Sequence, residues 1–488
     1  MASIEEIRNE RLKKLEILKK SGVDSYPGNT SRTADIKSVV DNFSSLSEKA
    51  EVVTLAGRVM AIRGQGAIIF INIFDGTGQI QGLLKEGDLE QTIFDFFVQT
   101  VDIADFIEVT GTLFLTNRGE KTVAITSWKM LSKSLLPLPE KWHGLADEET
   151  RFRKRYLDIL MNKEVRETIE LKAKFWQFTR NYLIKKGFIE VETPTLELTT
   201  GGAEANPFKT HHADYDLDVY LRISVGELWQ KKLLAAGLPR TFEIGRVYRN
   251  EGTSPDHAQE FTNLEFYVAY MGLEEGISLT EDLLRGLVRE VFGRTTFTTR
   301  GFTIEFPSGP WPQIEYIDKI REMTGINVLT ATEDEMKLKL DQLRVKYTGD
   351  NRERLTDTLW KYCRKQIAGP AWLVGHPKLV SPLAKARSDN PELTNRAQLI
   401  LAGAEVTNGF SELNNPLDQR ERFELQQQLI DRGDKEAMMP DWEFVEMLEH
   451  GMPPAFGQAY GDRLFAMLVD KPLRETHIFP LMRPKDLN

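Results

Sequence analysis

Between residues 133 and 160 the chain changes its period, and this change limits the possible folds more than any other feature. Upstream, residues 52 to about 132 read VVTLAGRVMAIR, AIIFINIFDGTGQIQGLL and DFIEVTGTLFLTNRGEKTVAITSWKML, short β-rich runs broken by turns. Asp75-Gly76 and Asn117-Arg118-Gly119 are hairpin signals. A small antiparallel barrel of about five strands fits that length. The Pro-punctuated, then basic, stretch LLPLPEKWHGLADEETRFRKRYLDIL follows. Downstream the pattern becomes helical: ETIELKAKFWQFTRNYLIKKG is amphipathic and ends at Gly187, before the strand-like FIEVETPTL. The remainder alternates helices and strands, with a charged helical stretch around residues 333–366. This predicts an α+β chain with a helical segment at 1–50, a barrel at 51–135, a connector at 136–160 and a large second domain at 161–488.

Composition narrows the class. The 488 residues carry 63 Lys+Arg against 73 Asp+Glu, a formal charge of −10, which argues against a general nucleic-acid coat but allows one local basic face. The single cysteine, Cys363, excludes a disulfide framework and any zinc site built from several thiolates. No apolar run reaches the roughly 18 residues of a membrane span. The N-terminus lacks an apolar core, so no signal peptide is expected and the protein is expected in the cytoplasm. Its first twenty residues carry six basic and four acidic side chains. Ile4, Ile7, Leu12, Leu15 and Leu18 fall at roughly helical spacing, as in a solvated amphipathic helix or one that touches RNA backbone.

Chemistry concentrates in three polar clusters. Neither a GxxxxGK[ST] loop nor a GxGxxG fingerprint is present. The first cluster, FEIGRVYRNEGTSPDHAQEFTNLEFYVAY at 242–270, places Arg249 and Glu251 two apart, on one face if the strand continues. A turn-forming loop follows, and then Phe261, Glu265 and Tyr267 return in β-rich sequence. Arg can grip a phosphate or carboxylate bidentately, and Phe can stack on a base. The second cluster, GAEVTNGFSELNNPLDQRERF at 403–423, sets Glu405, Asn408, Phe410 and Glu412 among small residues. An acid and an amide on one buried face are costly unless they bind something. In the third, PPAFGQAYGDRLFAML at 453–468, glycines would let a ligand approach the backbone, and Arg463 opens an apolar helix. A surface hairpin, a wet polar strand and a loop-to-helix junction are the plain alternatives.

The order of these clusters resembles the class II aminoacyl-tRNA synthetases, and within them the lysyl group. GFIEVETPTL is similar to the family's first motif, the Arg249–Glu251 hairpin to its second and GQAYGDRL to its third. GGAEANPFKTHH, YLRISVGELWQKKLL, RNEG, HAQEFTNLEFYVAY, VSPLAK, NGFSELNNPLDQRERF and IFPLMRP carry the lysyl likeness, over about residues 5 to 485. The resemblance implies an OB-fold anticodon-binding domain and a catalytic domain built on an antiparallel sheet with flanking helices. It implies a homodimer that uses ATP and magnesium to make lysyl-adenylate and then charges lysine tRNA. By the same resemblance, Arg249 bridges substrate carboxylate and α-phosphate, and Phe261 and Arg463 sandwich adenine. Glu251 takes the adenine amine, His257 lies near the nucleotide and Glu405 holds magnesium. Gly202 and Glu227 hold the α-amino group. Glu265, Tyr267 and Glu412 hold the side-chain ammonium, in a pocket shared with Asn408 and Phe410. Arg63, Phe70, Gln81 and Glu120 read the anticodon. Three positions depart from the family. Asp256 replaces a common Arg, Gln398 replaces a common magnesium-binding Glu, and the third motif is one residue short. Aspartyl and asparaginyl relatives share the architecture, but an anionic pocket does not suit aspartate. A regulatory paralogue without aminoacylation is the reading that the changes at 256 and 398 would support.

Overall fold

The computed structural model describes residues 3–139, 147–203, 205–252, 254–347, 349, 351–433 and 437–484. The chain divides into two units, Met1–Arg151 and Phe152–Asn488. The division falls within the expected connector, whose residues 140–146 lie outside the described ones.

In the first unit β1 (Val52–Gln65), β2 (Ile68–Phe74), β3 (Gln79–Lys85), β4 (Phe106–Leu115) and β5 (Lys121–Ser132) form a closed barrel in the order β1-β2-β3-β5-β4. The expected antiparallel barrel carries one parallel pair, β3–β5, because closing the ring brings together two strands that run the same way. Alternation along β2 sends Ile69, Ile71 and Ile73 inward, and the turn after it is held by Asp75, which accepts the amides of Thr77 and Gly78. Helix α1 (Ile4–Lys20) starts from a capping box between Ser3 and Glu6. It is not simply solvated: Leu18 is fully buried in the barrel core beside Ile36 and Phe43. Arg11 turns inward too, donating to the carbonyls of Ile103, Ser134 and Leu136. Helix α2 (Gln91–Thr100) adds Phe94 and Phe97 to the same core.

The second unit is built on a nine-stranded sheet. Its strands are β6 (Ile189–Glu190), β7 (Arg240–Tyr248), β8 (Glu260–Ala269), β9 (Gln313–Glu315), β10 (Ala371–Val374), β11 (Arg396–Leu401), β12 (Thr407–Ser411) and β13 (Ala455–Gly461). They lie in the order β9-β10-β11-β12-β13-β8-β7-β6, with Ala404–Glu405 paired to β11 off that path. The sheet is antiparallel except at its two ends, where β9–β10 and β6–β7 are parallel. GFIEVETPTL contributes only the two-residue β6 to this sheet. The charged 333–366 stretch is two helices, Glu333–Gln342 and a later one described with the site.

Period two along β8 separates core from site. Leu264, Phe266 and Val268 pack with Phe242 and Phe456 against Phe175 and Leu183 of α3 (Lys163–Lys185). Leu283, Leu284 and Leu287 of α5 (Leu273–Glu290) cover the same layer; α4 (Glu227–Ala235) lies earlier in the chain, on the opposite face. Each such side chain contributes about 1.5–3 kcal/mol on burial. The alternate residues, Asn263, Glu265 and Tyr267, face the cavity described below.

In the barrel, Lys133 is buried with its Nζ 2.6 Å from Asp102, 2.8 Å from Asp105 and 2.8 Å from the Thr100 carbonyl. Replacing Lys133 by Met leaves Asp105 buried without its countercharge, which costs about 3–5 kcal/mol. Hydrogen exchange of the β4 and β5 amides in the full chain should accelerate accordingly, and unchanged protection would show that the pair contributes nothing.

Candidate active site

The side chains singled out in the three clusters meet on one face of the sheet. All but Glu412 line a cavity of about 530 Å³ together with Gly202, Glu227, Arg396 and Gln398. Arg249, Glu251, His257, Phe261, Glu265, Tyr267, Glu405, Asn408, Phe410 and Arg463 all reach it.

One end of the cavity is aromatic and cationic. β7 ends at Tyr248, so Arg249 and Glu251 do not share a strand face as the spacing suggested. The ladder closes one residue later, where the Arg249 amide donates to the Gln259 carbonyl. The Arg249 guanidinium lies 5.3 Å from the Phe261 ring centroid and donates to the Ile223 carbonyl. Glu251 is exposed at the rim. Arg463 is the second residue of α8 (Asp462–Leu468), after α6 (Arg352–Arg364) and α7 (Trp442–His450) in the chain. Its guanidinium meets His257 Nε2 at 3.0 Å and the Glu405 carbonyl at 3.3 Å. His257 Nδ1 lies 2.7 Å from Ser254 Oγ. Desolvation, and then the cations Arg463 and Arg249, push the His257 pKa down to about 4. The imidazole is therefore neutral, accepting from Arg463 and donating to Ser254.

Glu405 accepts Trp360 Nε1 at 2.5 Å and Arg364 at 2.9 Å, both from α6. Among the described residues no group of three or more His, Cys, Asp or Glu side chains forms a metal cage. Magnesium rarely needs one: one or two carboxylates with substrate phosphates and water suffice, and Glu405 fits that donor set. Asp256 does not present a bare anion. Arg300 grips its carboxylate with both guanidinium nitrogens, one at 3.0 Å. Arg300 sits in the turn between the strands Thr296–Thr299 and Phe302–Glu305, and nothing in the sequence near the clusters signals it. The basic residues of the second cluster are engaged elsewhere: Arg420 pairs with Glu449, and Arg422 with Asp418.

The other end of the cavity is acidic and dry. Glu265 is 3% exposed; its oxygens accept the Val225 amide at 2.7 Å and the Tyr267 hydroxyl at 2.8 Å. Gly202 lies against Glu227 at φ +87, and a Cβ there would stand 2.7 Å from Glu227 Oε2. Asn408 accepts from Arg396 Nε at 2.9 Å. Glu412 is set further back than its place in the cluster suggested. It is 1% exposed and does not line the cavity, and its Oε2 lies 2.6 Å from Lys231 Nζ. Gly457 makes room for it, since a Cβ at that position would lie 2.1 Å from Glu412 Oε1 and 2.5 Å from the Tyr267 ring. Burial and mutual repulsion raise the Glu265 pKa to about 7 and the Glu412 pKa to about 8. Lys231 escaped the sequence reading, although a Glu–Lys pair four apart on a helix, Glu227 and Lys231, is a legible signal.

In the first unit Arg63 and Phe70 are cross-strand partners, and Gln81 pairs with Asn72 two residues along. All three sit on the outward side of strands whose isoleucines fill the barrel, and Glu120 is exposed beside the start of β5.

Gly457→Ala should lower stability by about 1–3 kcal/mol, because the added methyl overpacks the Glu412–Tyr267 contact. Urea unfolding of the second unit measures this, and a neutral substitution would mean that the wall can move.

Residues 147–483 match the tRNA synthetases class II (D, K and N), and residues 53–131 match the OB-fold nucleic acid binding domain. The lysine–tRNA ligase of Roseiflexus sp. (strain RS-1) is 43% identical, over 99% of this chain and 100% of that one. Those of Carboxydothermus hydrogenoformans and Thermotoga maritima are 41% and 38% identical, over 99% of this chain and 99% and 97% of theirs. With its barrel followed by the sheet that carries the cavity, the chain belongs to the class II tRNA synthetases, among the lysine–tRNA ligases.

Proposed function

We propose that the chain activates lysine with ATP and transfers it to lysine tRNA, with the cavity as the site of both steps. The carrying observation is its polarity: a dry acidic end holding Glu227 and Glu265, and an aromatic, cationic end holding Arg249, Phe261 and Arg463. Lysine brings two ammonium groups and one carboxylate, and ATP brings an aromatic base and three phosphates. Aspartate would meet like charge at the acidic end.

In this reading Gly202 and Glu227 receive the α-ammonium. Glu265 and Tyr267 receive the side-chain ammonium, backed by Glu412, while Phe410 covers the methylenes. Asn408 and Arg249 steer the substrate carboxylate toward the α-phosphorus. A carboxylate oxygen attacks phosphorus, the bond to the β-phosphate bridging oxygen breaks and pyrophosphate leaves. Arg249 stabilises the charge that grows on the equatorial oxygens, with no covalent enzyme intermediate. Phe261 and Arg463 hold adenine between them, Glu251 takes its amine and neutral His257 orients Arg463. Glu405 would hold magnesium, which neutralises and orients phosphates when bound. A ribose hydroxyl of the tRNA 3′ end then attacks the acyl carbon, and AMP leaves. The surface of Arg63, Phe70, Gln81 and Glu120 would read the anticodon, with Phe70 stacking on a base for about 1–3 kcal/mol. Exposed Ile184, Ile189, Leu196 and Leu198 cluster around the first motif, which supports a homodimer joined there. Among the described residues no helix is long and apolar enough to cross a membrane, and we assign the enzyme to the cytoplasm. Pairing with Arg300 offsets the negative charge of Asp256, one of the two changes on which the regulatory reading rested.

Lysine alone among the standard amino acids should drive ATP–pyrophosphate exchange. Arg249→Ala should slow single-turnover adenylate formation by about 10²–10³-fold in a folded protein. Exchange driven equally by aspartate, or a variant retaining more than about a tenth of the rate, would overturn the assignment.

The pH dependence follows from the acidic end. A carboxyl group must be ionised to receive an ammonium, and Glu265 and Glu412 have pKa values raised to about 7 and about 8 in the free enzyme. The ionised form gains population as pH rises through that window. kcat/KM for lysine should therefore climb from about pH 6 to about pH 8, whereas kcat/KM for ATP should change much less. A lysine profile already flat at pH 6 would show that the carboxylates are ionised before lysine arrives.

A further inference from the structure

The acidic end of the cavity contains a cation of its own. Lys231, on α4, is 1% exposed, and its Nζ lies 2.7 Å from Glu227 Oε1 and 2.6 Å from Glu412 Oε2. Three aromatic rings surround it, Phe410 at 5.2 Å, Phe444 at 5.8 Å and Tyr267 at 5.9 Å from the ammonium to their centroids. Two of these rings, Phe410 and Tyr267, also line the cavity. The ammonium thus touches the wall that meets the amino acid without itself lying on the cavity surface.

Its environment is charged from several elements. Glu227 comes from its own helix, Glu265 and Tyr267 from β8, and Glu412 from the residue after β12. α7 contributes the Phe444 ring, and β7 contributes Glu243, which Arg222 neutralises at 2.6 Å. The neighbouring Lys232 turns away toward Asp441 and Glu443. Glu197, which accepts Trp229 Nε1 of the same helix at 3.0 Å, is a further buried carboxyl near Glu265. With Glu227, Glu265 and Glu412 all ionised, three carboxylates and one ammonium leave two negative charges in the wall. Lysine brings two ammonium groups, and its carboxylate is left to Arg249. Without the internal cation, bound lysine would leave one buried carboxylate without a countercharge, and that group would hold a proton instead.

We propose that Lys231 is a positioning residue for amino-acid recognition, whose ammonium fixes Glu227 and Glu412 and sets the charge of the wall so that one lysine completes it. This rests on the reading of the cavity as a lysine site. Lys231 acts through the two glutamates and does not touch the substrate. It also fills the space between them, so that the side-chain ammonium of the substrate is directed to Glu265 and Tyr267.

The test is steady-state exchange in the full-length enzyme, with lysine and ATP varied separately across about pH 6 to 9. The parent enzyme checks the underlying reading: if lysine does not drive exchange, the lysine site itself is wrong and the role of Lys231 falls with it. With that established, Lys231→Met should raise KM for lysine by about tenfold or more, with KM for ATP and kcat moving less than about threefold. The rising limb of its kcat/KM profile for lysine should shift upward by about one pH unit, since the carboxylates lose their countercharge. Lys231→Met combined with Glu412→Gln restores the charge of the wall and removes the buried ion pair as a unit, a change that proteins often tolerate. Its rising limb should return close to that of the parent, even though its KM stays high. If the single variant does not fold, the double variant decides alone: a limb at the parental pH supports the proposal, and a displaced limb overturns it. A KM for lysine within about threefold of the parent in folded Lys231→Met, or equal losses against lysine and ATP with no pH shift, would show that Lys231 only packs the wall.

Discussion

Carboxylates held close together in a dry wall are the constraint on which the rest of this site depends. Glu265 and Glu412 are almost fully buried, and beyond that burial the nearby Glu227 raises the cost of ionising both. Such a wall is tolerable only if the backbone holds it rigidly and a cation balances it. The sheet supplies the rigidity. Glu265 is fixed by the Val225 amide and the Tyr267 hydroxyl, and β8, which carries it, is clamped by β7 on one side and β13 on the other. Behind that strand Leu264, Phe266 and Val268 enter the largest apolar core of the unit. A polar strand in the middle of a sheet is affordable because every second residue belongs to that core.

The division of labour across the cavity follows from the same geometry. The acidic end is built on strand residues and one helix, so its groups keep their places before any ligand arrives. The nucleotide end is built on segments beyond the strand ends. Arg249 and Glu251 lie past β7, and His257 lies in the loop that returns to β8. There the side chains satisfy one another: Arg463 bonds to His257, and Arg249 lies over Phe261. Under the proposed function a purine and its phosphates would replace those contacts, whereas among the described residues Lys231 is the cation bonded to the acidic wall. In the proposed reaction, selection of the amino acid rests on the rigid end and the chemistry on the adaptable one.

Much of this was legible in the sequence, and the misses have physical causes. The barrel, the hairpin signals at Asp75-Gly76 and Asn117-Arg118-Gly119 and the polar clusters depend on local period and turn chemistry, which neighbouring residues reveal. The cluster residues converge in the structure because each lies in or beside a strand of one sheet. Lys231 was missed because its significance comes from Glu412, 181 positions away in the chain. The depth of Glu412 was misread for a related reason, since a glycine on a different strand, Gly457, opens the space behind Tyr267. The two parallel strand pairs at the sheet ends follow from topology, which no local pattern carries. Asp256 looked like an unopposed anion because Arg300 reaches it from a hairpin 44 residues away.

That last pairing changes how the two departures at the nucleotide end fit together. Gln398 is held by a buried histidine. Its Oε1 lies 2.8 Å from His376 Nε2, and burial holds His376 neutral, so that the ring donates to this oxygen and leaves the amide N–H groups for other partners. An N–H group repels a cation and attracts phosphate oxygen. Around it the cavity lining carries Arg354, Lys361, Arg396 and Arg463 along with Glu353 and Asp357, the latter paired with Lys361 at 2.6 Å, and Arg300 is bound to Asp256. In the proposed reaction a triphosphate entering here meets Arg396 and Arg463 beside Gln398, where a carboxylate at 398 would add a negative charge. Under the proposed function the change at 398 and the basic lining work together: part of the charge that a mobile ion would bring is supplied by side chains already in place, and Glu405 remains the carboxylate that would hold magnesium.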